Sequence, residues 1–122
     1  MTAILYDAGA LIAAERNDRA FWADHRARLE QGTIPVTPAP VVAQVSRSPR
    51  QAQLRRLLHG CDITPLTEDT RHRVARASTD DIVGGTVVAE AAARSAAIMT
   101  SDRADIAHLL HASGADLSII DI

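Results

Sequence analysis

The chain is 122 residues long, with 23% charged residues and a formal net charge of −2, a length that suits one domain, 1–122, able to build a core without staples. Its single cysteine, Cys61, excludes an internal disulfide and an all-cysteine metal site. No apolar run approaches the ~20 residues of a bilayer span and the start lacks the basic flank of a signal peptide, so a cytoplasmic protein without a membrane partner is expected.

Every one of the 13 basic residues is an arginine, and the only aromatics are Tyr6, Phe21 and Trp22. The apolar content is therefore carried largely by alanine, which favours helix but buries little area per residue. Residues 2–6 read as a short strand ended by Asp7, and Ala8–Glu15 as a brief helix. Asn17 or Asp18 caps the next helix, where Phe21, Trp22, His25 and Leu29 recur at helical spacing until Gly32 stops it. Ile34–Thr37 is a second strand closed by Pro38. Pro40 opens a helix through Val41, Val42 and Val45. After the Ser48–Pro49 break, Gln51–Leu58 is helical and Gly60 ends it.

Asp62–Pro65 is a third strand, followed by a helix capped by Thr67 and running to about Ala77. The polar bend 78–81 leads into a helix over Ile82–Ser95. Ala97–Thr100 is the fourth strand, Ala104–Ala112 the last helix, and Leu117–Ile120 the last strand. Helices separate each strand from the next, which rules out tight antiparallel hairpins. The expected class is α/β, with a mostly parallel sheet of four or five short strands covered on both faces.

In such a sheet, functional groups collect beyond the C-terminal ends of the strands. Asp7 follows the first strand directly, Asp102 follows the fourth with Asp105 one turn on, and Asp80 and Asp81 open the Ile82 helix. One acid at a strand end is often only a helix cap. Several in one fold repel each other unless a cation sits between them, and a hard divalent ion, Mg²⁺ or Mn²⁺, suits an all-oxygen set.

Four segments carry a family likeness: ILYDAGALIAAE around Asp7, IPVTPAPVVAQVSR around Gln44, DDIVGG around Asp81, and AAIMTSDRADIAHLL around Asp102 and Asp105. In order, spacing and total length the chain resembles a PIN-domain protein, specifically the VapC-like toxins of bacterial toxin–antitoxin pairs. The resemblance implies a three-layer α/β/α sandwich and a metal-dependent endoribonuclease, usually a homodimer, held inactive by a cognate antitoxin. It places the acidic cluster at Asp7, Gln44, Asp81 and Asp102. Asp7, Asp81 and Asp102 would hold Mg²⁺, with Mn²⁺ as a substitute, and Asp105 would be a further ligand. Thr100 and Ser101 are candidates to position a water or a phosphate oxygen, although plain strand-end hydrogen bonding also accounts for them.

Substrate attraction needs positive charge, and Arg47, Arg50, Arg55 and Arg56 occur without an acid between them. Arg71, Arg73 and Arg76 form a second group. A solvated helix face explains such arginines as well as a phosphate-contacting rim does. The five histidines read as surface or helix-flank positions, so none is assigned as a base. Adjacent Phe21 and Trp22 cannot both point straight into one core, so one of the two is expected at an edge or interface, with plain packing of both as the other reading.

Two positions depart from the family pattern. A glutamate is expected where Gln44 stands, and many relatives carry an aspartate where this chain has Gly84. Glutamine keeps an oxygen acceptor but loses the charge, so metal affinity should fall. The alternative reading is a PIN-like module that binds an antitoxin or RNA without efficient cleavage. A phospho-receiver domain is disfavoured by the absence of lysine, and Gly84–Gly85 lacks the strand–GxGxxG–helix setting of a dinucleotide site.

Overall fold

A computed structural model describes residues 3–76 and 81–122. In chain order the elements are β1 (Ile4–Tyr6), α1 (Ala8–Glu15), α2 (Arg19–Glu30), β2 (Val36–Pro38), α3 (Ala39–Val45) and α4 (Ala52–His59). They continue with β3 (Asp62–Thr64), α5 (Glu68–Arg76), α6 (Ile82–Arg94), β4 (Ala97–Thr100), α7 (Arg103–Ser113) and β5 (Ile119–Asp121). The strands form one sheet in the order β3-β2-β1-β4-β5, every pair parallel. The expected α/β class and parallel sheet are thus present, with five strands.

The three inner strands, ILY, VTP and AIMT, are buried along their whole length. Unbroken burial is what a sheet covered on both faces demands of its central strands. With the strand order β3-β2-β1-β4-β5, the right-handed rule for parallel crossovers assigns α1–α4 to one face and α5–α7 to the other. The core runs from Leu5 and Ile98 in the sheet to Leu11, Val41 and Leu57 on one side and Val87 and Leu110 on the other. Small side chains let α1 come in close: Ala10, Ala13 and Ala14 are buried against it. The outer strands are more exposed, and each carries an aspartate met by an arginine: Asp62 by Arg94 at 3.9 Å and Asp121 by Arg103 at 2.9 Å.

Some boundaries differ from the sequence reading. The second strand is Val36–Pro38, not Ile34–Thr37: Ile34 is 63% exposed, while Pro38 pairs with Thr64. Proline is admissible there because a strand position can use its carbonyl alone. The last strand is Ile119–Asp121, two residues later than its expected start. Thr67 takes the capping role expected of it, its Oγ1 accepting from Thr70 N at 3.2 Å. The end of that helix at Ala77 and the acid Asp80 lie outside the described residues.

His25 corrects the surface reading given to all five histidines. It is only 3% exposed, stacks on Phe21, and its Nδ1 is 2.9 Å from the Tyr6 hydroxyl. Arg28 donates to the same hydroxyl at 3.1 Å. Of the adjacent aromatic pair, Phe21 is buried and Trp22 is half-buried against the core. The Trp22 indole N–H donates to Ala14 O, and the Arg56 guanidinium lies 4.7 Å from its ring centre.

Candidate active site

The chain runs from β1 outward to β2 and β3, then returns to β4 on the other side of β1. The direction of winding therefore reverses between β1 and β4, and the crevice beyond their C-terminal ends is the place where such sheets take ligands. Asp7 and Asp102 stand at that crevice.

Asp7 continues the β1 ladder by one residue, donating its N–H to Met99 O at 3.0 Å. It occupies the N-cap position of α1, yet its carboxylate makes no capping bond to that helix. Instead its Oδ2 accepts from Thr100 Oγ1 at 2.8 Å. The same hydroxyl oxygen accepts from Asp102 N at 3.0 Å. Thr100 is fully buried as the last residue of β4. One side chain thus fixes a carboxylate on β1 and the backbone of the residue bearing a second carboxylate after β4.

Asp102 in turn caps α7, accepting from Asp105 N at 3.4 Å. Asp105 is exposed in the first turn of α7, where an acid also complements the helix dipole. Ser101 is pressed against α1: a Cβ placed on Gly9 would lie 2.7 Å from Ser101 Cβ and 2.8 Å from its backbone N. Gly9 therefore lets the start of α1 abut the Thr100–Asp102 segment.

Asp81 belongs to the same edge by topology. α6 leads directly into the start of β4, so the beginning of α6 lies toward the strands' C-terminal ends. Asp81 Oδ1 accepts from Gly84 N at 2.8 Å and caps the helix. Among the described residues, no group of three or more His, Cys, Asp or Glu side chains is gathered in a cation-holding cluster. The donors suit a hard divalent ion in kind, since all are carboxylate or hydroxyl oxygens. Asp7 and Asp102 are tied together through Thr100, whereas Asp81 is held by its own helix.

The remaining sequence candidates sit on α3, which packs against α6, and around α4 and α5. Gln44 is exposed on the last turn of α3, and no hydrogen bond links it to the three aspartates among the described residues. Arg47, Arg50 and Arg55 are exposed around the start of α4. There Glu15, the last residue of α1, accepts from Leu54 N at 2.9 Å. The arginines thus stand near the far end of α1 from Asp7, about 12 Å along an eight-residue helix. Arg71 and Arg73 face Glu68 and Asp69 on their own helix at 3.8 and 3.1 Å, the pattern of a solvated face.

Comparison with protein-family models finds no match, and no curated protein matches in sequence. Solved structures do match. A chain of VapBC2 from Rickettsia felis, crystallised bound to a DNA fragment from their promoter, superposes with a TM-score of 0.74 at 10% identity, covering 99% of each chain. A chain of FitAB bound to an IR36 DNA fragment gives 0.57 at 16% identity, covering 97% of this chain and 94% of that one. The protein has a PIN-like α/β fold.

Proposed function

We propose that this chain is the toxin of a toxin–antitoxin pair, a metal-dependent endoribonuclease that hydrolyses RNA phosphodiester bonds. The observation that carries the reading is the Asp7–Thr100–Asp102 linkage at the crevice of a full-length PIN-like fold. Asp7, Asp81 and Asp102, with Asp105 beside them, would hold Mg²⁺ or Mn²⁺; a divalent ion there would lower the pKa of an attacking water and offset charge growing on the phosphoryl oxygens. Thr100 keeps the Asp7 carboxylate in one orientation, and the exposed Ser101 hydroxyl is available to a phosphate oxygen. Arg47, Arg50 and Arg55, exposed and outside any ion pair among the described residues, extend a phosphate-binding track away from the crevice.

A cognate antitoxin is the partner, supported by the likeness to two structures named as two-part complexes. A homodimer and a cytoplasmic setting belong to the same reading. No helix among the described residues is long and apolar enough to cross a membrane.

A second reading, an antitoxin- or RNA-binding module with weak cleavage, is favoured by the neutral, exposed Gln44 and by the ungathered carboxylates. One experiment separates the two. Metal-free protein is incubated with a mixed RNA pool, Mg²⁺ or Mn²⁺ is added, and the new ends are mapped beside an Asp7→Asn control. Metal-dependent ends absent from the control support the nuclease. RNA left intact, or cut equally by the control, removes it.

A further inference from the structure

Gly84 lies in the first turn of α6 and is buried. Its backbone gives no reason for glycine: the glycines with positive φ are Gly32 and Gly114. Helix propensity argues against it as well, since glycine is among the poorest residues inside a helix. The reason is space. A Cβ placed on Gly84 would fall on Oδ2 of Asp81 and lie 2.9 Å from its Cγ. Meanwhile Oδ1 of the same carboxylate accepts from Gly84 N at 2.8 Å. The carboxylate of Asp81 therefore rests on the bare Cα of Gly84, occupying the volume that any other side chain would claim. Leu109 of α7 closes in from another side, its Cδ1 being 2.7 Å from the same point.

The three carboxylates differ in this respect. Asp7 makes no capping bond, and Asp102 caps α7 only at 3.4 Å, whereas Asp81 is engaged at 2.8 Å. Asp81 as a residue is exposed. We infer that Gly84 is a positioning residue that parks the Asp81 carboxylate on the first turn of α6, from which it must be drawn before it can serve as a cation ligand. The inference rests on the metal-binding reading above and adds to it a resting state that competes with cation binding. Gly84→Ala takes away the parking place. The gain in helix propensity works against the lost cap, so the variant should fold.

Two measurements test this. Calorimetric Mn²⁺ titration of the unmodified protein, Gly84→Ala and Asp7→Asn should show affinity raised roughly three- to tenfold in Gly84→Ala, the scale of one N-cap hydrogen bond, and lost in Asp7→Asn. A glycine with only a packing role would lower thermal stability without raising affinity. In the unmodified protein, the Gly84 amide resonance should move upfield as Mg²⁺ is added, as its hydrogen bond opens. Mn²⁺ binding that is lost in Asp7→Asn but unchanged or weakened in Gly84→Ala overturns the parked carboxylate alone, as does a Gly84 amide unmoved at Mg²⁺ saturation. Failure of the unmodified protein to bind Mn²⁺ overturns the metal reading and this inference with it.

Discussion

The hydroxyl of Thr100 meets Oδ2 of Asp7 at 2.8 Å, although 93 residues of chain separate them. Parallel pairing of β1 with β4 brings them together, with Tyr6 opposite Met99 in the register. Thr100→Val keeps the shape and removes both hydrogen bonds, leaving a carboxylate oxygen and the Asp102 N–H without their partner. A loss of about 1–3 kcal/mol in unfolding free energy is expected from denaturant titration, together with weaker Mn²⁺ binding. Thr100→Ser should recover most of both, because the hydroxyl is what acts.

Glu15 is a helix cap supplied from a distance. Gln51 at the N-cap of α4 makes no side-chain bond to that helix and instead accepts from Arg47 N and Ser48 N. The vacancy at the start of α4 is filled by Glu15 Oε2 on Leu54 N. Glu15→Ala should destabilise by about 1 kcal/mol, and Glu15→Gln by less, since the amide oxygen still accepts. Urea midpoints of the two variants measure the difference.

Burial first, and the Arg28 charge second, hold the His25 imidazole below its usual 6.5. The folded protein therefore resists a proton that the unfolded chain accepts. Stability is fully present above about pH 6.5 and is lost as pH falls from there toward the lowered folded value. The ring shares a hydrogen bond with the Tyr6 hydroxyl, whose own ionisation burial pushes up to about 12. His25→Phe should flatten the decline in thermal midpoint between about pH 7 and about pH 5. An unchanged slope would assign the acid sensitivity to other groups.

Gln44→Glu tests the missing charge. Under the nuclease reading it raises both Mn²⁺ affinity and the RNA cleavage rate, because a carboxylate adds a full negative charge where an amide offers only an acceptor. A flat rate with unchanged affinity would mean that position 44 on α3 does not serve the crevice.

Much of this molecule can be read from local pattern. Turn residues and helical spacing locate nearly every element, and helices between strands imply the parallel sheet. The positions of Asp7 and Asp102 at strand ends follow from the same reasoning. What sequence conceals is long-range pairing. Thr100 invites a role near phosphate or water, but its grip on Asp7 depends on β4 lying beside β1, which no local signal encodes. His25 stands one turn after Phe21, a spacing that points inward, yet a buried histidine needs a partner, and Tyr6 lies on another element. The parking of Asp81 on Gly84 is hidden for a different reason: it depends on a volume left empty by an absent Cβ.

The paired charges on β3 and β5 bear on how the molecule meets others. At one flank Asp62 holds Arg94, and at the other Arg103 grips both oxygens of Asp121 and the carbonyl of Ile119. A foreign strand seeking to lengthen the sheet would have to strip water from a salt bridge on either side, over edges only three residues long. Stacking of many copies into a continuous ribbon is thereby discouraged from both directions.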